Sequence, residues 1–261
     1  MATLVCFHAH PDDECIATGG VMAKAKADGH RVVLVVATRG EHGEVDDGFL
    51  DPGESLTDRR VAETLAAADI LGVDHVEFLG YVDSGMMGTP ENDLPGSFWS
   101  ADIDEAAARL AKLLTEEHAD VFTCYDEIGG YGHPDHIQVH RVGLRAAELA
   151  GTPKVFQSTI NRDAIIRQMA EARPAMIEAG LEIPDFEVSE GFGMPESVIT
   201  CAVDVRAFVG AKRAAMQAHA SQIGDTHFML TMPDDAFAQA FGTEWFIRAG
   251  QGPGITEDAL F

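Results

Sequence analysis

The chain has 261 residues, 46% of them hydrophobic, with 43 acidic against 18 basic side chains and a formal charge of −25 at pH 7. That charge excludes nucleic acid and anionic membranes as partners, because holding phosphate groups needs a basic surface. No run of about 18 apolar residues offers a membrane span, and the N-terminus shows neither the basic flank nor the cleavage site of a secretory signal.

The first half alternates strands and helices. Leu4 to Phe7 is a short apolar run, predicted as a strand, that leads into Ala9-His10-Pro11-Asp12-Asp13-Glu14. Ile16 to Ala27 has apolar residues at helical spacing and stops at Asp28-Gly29. Arg31 to Ala37 is almost continuously apolar and β-branched, as in a strand buried on both faces. Ser55 to Leu71 reads as a helix with Ala62, Leu65, Ala66 and Ile70 on its inward side. Val76 to Leu79 is predicted as a strand, Asp102 to His118 as a helix and Val121 to Cys124 as a strand. Pro134 to Leu149 is a helix with Pro near its first turn, and Val155 to Ser158 a further strand. Beyond Asn161 helices are expected at Arg162 to Gly180 and Val205 to Gln222, with a strand at Val198 to Val203. The expected fold is α/β: a Rossmann-like, mostly parallel sheet flanked by helices, with a less regular C-terminal part. Residues 1–261 are expected to form a single domain, 1–160 as its α/β core and 161–261 as an extension packed on it.

His-Pro-Asp occurs twice, at His10-Pro11-Asp12 and at His133-Pro134-Asp135. Each copy follows a predicted strand and precedes a predicted helix. Open α/β sheets bind ligands beyond the carboxyl ends of their strands, so both clusters belong on one edge of the sheet. One such cluster means little, since Asp and Pro are ordinary turn residues; two in equivalent places point to a divalent metal. His10 and Asp13 can face one ion, with His136 as third ligand. Asp12 lies between two ligands and points elsewhere, the place of a general base for an activated water. His133 can serve beside the ion in charge stabilisation or proton transfer, and Asp135 can accept a hydrogen bond from one of the imidazoles. Two His and one Asp with open positions suit zinc, and iron or manganese would also fit. Dinucleotide binding is excluded, because the first turn reads His-Pro-Asp-Asp-Glu where glycines are needed.

The clusters Ala9-His10-Pro11-Asp12-Asp13-Glu14 and Tyr131-Gly132-His133-Pro134-Asp135-His136 resemble those of the PIG-L/LmbE-like superfamily of zinc-dependent N-deacetylases. The resemblance runs from residue 3 to about 222. It takes in Thr38 to Gly43, Arg60 with Glu63, Asp83-Ser84-Gly85-Met86, and Lys212 to Gln222. The forms found here are most similar to the actinobacterial branch that deacetylates N-acetylglucosaminyl-inositol or cleaves mycothiol conjugates. The resemblance implies zinc on His10, Asp13 and His136, and Asp12 as general base. It also implies His133 as a catalytic histidine, Tyr131 as donor to the amide oxygen and Asp135 as support for His133. Arg60 and Asp83 match sugar-side contacts, and Glu41 is a candidate for one, although Arg60 could instead pair with Glu63. Glu41, His42 and His219 fit a site role and a structural one equally; His140 reads as structural.

The expected function is removal of an N-acyl group from a small-molecule amino sugar such as an N-acetylglucosamine derivative. The alternatives are an amidase acting on a mycothiol-type S-conjugate and a sugar- or metal-binding protein without catalysis. Four scattered cysteines (Cys6, Cys15, Cys124, Cys201) read as reduced thiols in a cytoplasmic protein. A homo-oligomer is left open. The long loops Thr38 to Glu54 and Tyr81 to Ser100 read as substrate-binding loops; the insert Asp46 to Glu54 and the tail after Gly224 have no assigned role.

Overall fold

The computed structural model describes residues 1–178 and 188–261. The elements run β1 (Thr3–His8), α1 (Asp13–Ala17), α2 (Gly19–Ala27), β2 (Arg31–Val36), α3 (Leu56–Leu71), β3 (His75–Phe78), α4 (Ile103–Glu116), β4 (Val121–Tyr125), α5 (Pro134–Ala150) and β5 (Lys154–Thr159). Then come α6 (Arg162–Glu178), β6 (Cys201–Asp204), α7 (Val209–Ala218), α8 (Phe228–Thr231), α9 (Asp234–Phe241) and β7 (Thr243–Arg248). Among the described residues the strands form one seven-stranded sheet in the order β3-β2-β1-β4-β5-β7-β6. The first five strands in that order are mutually parallel, and β7 runs antiparallel to both β5 and β6.

The middle strand β1 is buried along its whole length. Because side chains alternate across a strand, Leu4 and Cys6 enter one apolar core with Met22, Leu71 and Met216, while Val5 and Phe7 enter the other with Leu110, Phe122 and Val139. Helices α2, α3 and α7 cover the first face; α4 and α5 cover the second. β1 pairs with β2 on one side (Cys6 with Leu34) and with β4 on the other (Cys6 with Thr123). The loops that leave β1 and β4 therefore emerge side by side, which brings the two His-Pro-Asp clusters together. No helix among the described residues is long and apolar enough to cross a membrane.

Local chemistry accounts for the helix ends. Ser55 Oγ accepts the Asp58 N–H at 3.1 Å and opens α3, which closes at Gly72 in the left-handed conformation. Asp102 caps α4 by accepting the Glu105 N–H at 3.0 Å.

Two expectations need correction. The helix expected over Ile16 to Ala27 is two helices, broken at Thr18, and it starts three residues earlier. The reason lies far along the chain. The Glu244 carboxylate accepts the Gly20 and Val21 N–H groups at 2.7 and 2.8 Å, and so caps α2 separately. The inward face of α3 is the opposite of the expected one: Ala62, Leu65, Ala66 and Ile70 are exposed, and Arg60, Glu63, Thr64, Ala67, Ala68 and Leu71 are buried. Two charged residues occupy the inner face because they bind polar groups there. The tail after Gly224, left unassigned, supplies α8, α9 and the sheet strand β7. The expected helix from Arg162 matches α6, but its expected end at Gly180 lies outside the described residues.

Glu244 also accepts a hydrogen bond from Lys212 Nζ at 2.6 Å, and both residues are buried. Removing one partner of such a pair strands the other charge. Lys212→Met is expected to destabilise the fold by about 3–5 kcal/mol, and adding Glu244→Gln to recover much of the loss. Denaturant midpoints of the two variants and the parent check this.

Candidate metal centre

Thr3 to His8 ends in a tight loop, and Asp12 within it has φ +102°, ψ −30°. Such a conformation strains any residue with a Cβ, by about 1–3 kcal/mol, so surrounding bonds must hold it. Arg60 Nη2 donates to the Pro11 carbonyl at 2.6 Å and to Asp12 Oδ2 at 3.3 Å. The Asp12 N–H donates to Glu14 Oε2 at 2.9 Å, and Cys15 Sγ donates to the Asp12 carbonyl at 2.9 Å. The turn lets Asp13 open α1 with its carboxylate pointing back over the loop, where Oδ2 accepts the His10 N–H at 2.8 Å.

The second cluster is set by a glycine-rich turn at the end of β4. Gly129 is in the left-handed conformation (φ +64°), and a Cβ there would lie 2.5 Å from His136 Cβ. Only glycine permits this approach, which lets the Gly129 carbonyl accept a hydrogen bond from His136 Nδ1 at 3.1 Å.

The partners of each ring fix its tautomer, since a neutral imidazole has one N–H and one lone pair. His136 donates through Nδ1 and keeps a bare Nε2. His10 Nε2 faces the Asp135 carboxylate at 3.0 Å and donates to it, which leaves Nδ1 for an ion. His133 is the reverse case: its Nδ1 accepts the Asp135 backbone N–H at 3.1 Å, so its proton is on Nε2. Asp13 Oδ2 lies 3.5 Å from His10 Nδ1 and 3.3 Å from His136 Nε2. The edge of a tetrahedron with metal–ligand bonds of about 2.0–2.1 Å is about 3.3–3.4 Å. His10, Asp13 and His136 therefore fit a divalent cation. His133 lies within 4.8 Å of the other two histidines, but its Nε2 carries the proton. Glu14, Cys15 and His219 also cluster. That group is closed on itself: His219 Nε2 meets Glu14 Oε1 at 2.5 Å, and burial with Glu14 alongside holds the Cys15 thiol protonated.

The electrostatics follow from burial. Burial pushes the Asp12 carboxyl up to about 6 against the pull of Arg60. Burial, with His10 and His136 beside it, pushes His133 down to about 4. Burial also opposes charge on His10, yet Asp13, Asp135 and Asp83 around it hold its pKa well above the usual range. Burial, then Asp13, raises the Tyr131 phenol, so it stays an O–H donor; its oxygen lies 3.4 Å from His136 Nε2.

His10, Asp12, Asp13, Tyr131, His133, Asp135 and His136 thus converge. The Asp135 carboxylate is wholly buried and serves His10, accepting also from Ser84 N and Oγ, while only its backbone N–H reaches His133. Arg60, 3% exposed, donates to the Gly40 and Pro11 carbonyls and to Asp12 Oδ2. Asp83 is buried with its Oδ1 3.6 Å from His10 Nε2 and 2.8 Å from the Gly85 N–H; burial opposes its charge, but His10 and that N–H hold it well below the usual range. Glu41 accepts the Asp83 N–H at 2.9 Å and joins the two long loops. Ser84 and Glu14 were visible as letters of their motifs but carried no predicted role. Tyr125, whose ring centroid lies 4.8 Å from that of His136 and whose oxygen meets His8 Nδ1 at 2.7 Å, lies one residue past the predicted strand and carried no predicted role.

Asp12, Asp13, Tyr131 and His136 are among the residues that line a cavity of about 680 Å³. The rest of its wall is mainly apolar, with Ile160, Ile165, Met169, Met232, Phe241 and Trp245.

Residues 5–147 match the family described as PIG-L: GlcNAc-PI de-N-acetylase. A protein of Acidothermus cellulolyticus named 1D-myo-inositol 2-acetamido-2-deoxy-alpha-D-glucopyranoside deacetylase is 42% identical, with 94% of this chain and 88% of that protein covered. Among solved structures, N,N'-diacetylchitobiose deacetylase of Pyrococcus horikoshii shares the fold at TM-score 0.56 and 23% identity, covering 94% of this chain and 83% of that one. The 4-carboxy-2-hydroxymuconate hydratase of Pseudomonas putida does so at TM-score 0.60 and 19% identity, covering 99% of each chain.

Since a cation needs His10 Nδ1 bare and nearby carboxylates keep that ring protonated, binding must displace a proton. Apparent affinity for a divalent cation is expected to rise with pH around neutrality, by about tenfold per unit. Calorimetric titration in buffers of different ionisation enthalpy should count about one proton released per ion.

Proposed function

The chain belongs to the GlcNAc-PI de-N-acetylase (PIG-L) family, and on that premise we propose that His10, Asp13 and His136 hold a catalytic zinc ion beside Asp12, the general base. The protein is an N-deacetylase: it hydrolyses the carbon–nitrogen bond of a non-peptide amide on an N-acetylglucosamine-derived sugar. The observation that carries the site assignment is that one Asp13 carboxylate oxygen lies at the spacing of two ligands on a common ion from a ring nitrogen of His10 and from one of His136. The sugar is a glycoside of the inositol kind that the relatives' names state.

When bound, the cation supplies a Lewis acid that acidifies water and polarises the acyl oxygen. Asp12, held by its turned backbone and by Arg60, takes a proton from the attacking water. Tyr131 donates its O–H to the carbonyl oxygen as negative charge builds there. His133 adds the Nε2–H that its tautomer leaves free. Asp12 must be ionised to accept that proton, and burial with His10 and His136 alongside keeps His133 neutral. Asp12 then returns its proton to the departing nitrogen, the carbon–nitrogen bond breaks, and acetate and the free amine leave. Four free, buried cysteines suit a reducing compartment such as the cytoplasm.

A second reading, an amidase for a mycothiol-type S-conjugate, draws on the cavity. Its volume and apolar wall offer more room than an acetyl methyl group fills.

Asp12→Asn is expected to keep its metal and lose about 10²–10⁴ in kcat. Tyr131→Phe is expected to lose about 10²–10³, as for one oxyanion donor. Acetate release from N-acetylglucosaminyl-inositol, with metal content measured alongside, checks both; an active Asp12→Asn enzyme removes the proposed base. Parallel turnover of that sugar and of a mycothiol S-conjugate separates the two readings, and the deacetylase reading expects the sugar to be faster.

A further inference from the structure

The segment Lys212 to Gln222 lies far from both clusters in sequence, yet His219 at its end reaches the loop that carries Asp12. His219 follows the last residue of α7 and is fully buried. Its Nε2 meets Glu14 Oε1 at 2.5 Å. The other oxygen of Glu14, also fully buried, accepts the Asp12 N–H at 2.9 Å. A buried carboxylate requires a charge or donor beside it, and His219 is the side chain that meets Glu14 Oε1. The C-terminal end of a helix also favours a positive imidazole.

From this chain of contacts we infer that His219 is a positioning residue: through Glu14 it holds Asp12 in the strained backbone that aims the carboxylate at the reacting water. The inference rests on Asp12 being the general base. Two hydrogen-bonded braces grip the strained peptide from opposite sides. Arg60 holds the preceding carbonyl, and His219 with Glu14 holds the N–H. They are joined to each other, since Glu63, one turn beyond Arg60 on α3, accepts from Ser221 N at 2.9 Å and from Ser221 Oγ at 2.6 Å. That joint also explains why the inner face of α3 is charged. His219 does not touch the substrate in this account; it acts only through where Asp12 points.

The test uses the zinc-loaded full chain and N-acetylglucosaminyl-inositol. His219→Ala is expected to lower kcat about 10–100-fold, the usual effect of removing a residue that orients a catalytic group, with KM changed less than about twofold and one metal ion retained. His219→Gln places an amide nitrogen where Nε2 lies and is expected to restore kcat to within about threefold. His219→Asn, too short to reach Glu14, should behave like the alanine variant and replaces it should that variant not fold. In an Asp12→Asn background the His219→Ala loss should vanish, because the group it positions is gone. Wild-type kcat in His219→Ala, loss of metal in step with activity, or a loss that persists undiminished over Asp12→Asn would each overturn the inference. If Asp12→Asn is itself fully active, the general-base reading fails first, and independently.

Discussion

Parallel pairing of β1 with β4 is the constraint on which the site depends. Parallel neighbours end on the same edge of a sheet, so the loop after His8 and the loop after Tyr125 leave the sheet next to each other although more than a hundred residues separate them. Each loop then turns into a helix, and the first residues of α1 and α5 are where Asp13 and His136 sit. Neither cluster could hold an ion alone: one offers a single imidazole and a carboxylate, the other a single imidazole with a bare nitrogen.

Around that junction nearly every polar group has a partner that sets its chemistry. The Gly129 carbonyl and the Asp135 carboxylate each accept a ring N–H and thereby turn the opposite nitrogen of His136 and His10 toward Asp13. A backbone amide does the reverse to His133. Asp135 is fixed in turn by Ser84, whose N–H and Oγ both donate to its carboxylate. Burial raises the stakes of these bonds, because a buried polar group without a partner is expensive. The result is a set of donors and acceptors that is already oriented before any ligand arrives.

Much of this was legible in the letters. Val33, Val35 and Val36 in a continuous apolar run mark a strand covered on both faces, and Pro134 after a strand marks a helix start. The paired clusters mark their own proximity once the sheet is parallel. What was hidden depends on distant contacts. Leu65 and Ile70 look like a buried stripe, but Arg60 and Glu63 take the inner face because Asp12 and Ser221 lie there to receive them. Nothing in the letters around Arg60 signals that it braces a strained peptide. Gly19 and Gly20 read as helix interior because Glu244, more than two hundred residues away, is what divides that helix. Strand β7 escaped because Thr243 to Arg248 mixes charged and apolar residues, as an antiparallel strand of this sheet can and the buried parallel ones cannot.

The central claim is one divalent cation held by His10 Nδ1, Asp13 and His136 Nε2, with Asp12 and His133 outside the coordination shell. Anomalous diffraction at the zinc edge from crystals of the zinc-loaded protein tests it most directly. The account predicts a single peak with bonds of about 2.0–2.2 Å to those three residues. A peak bonded to His133 Nε2 or to Asp12, or one centred on Glu14, Cys15 and His219, would contradict it.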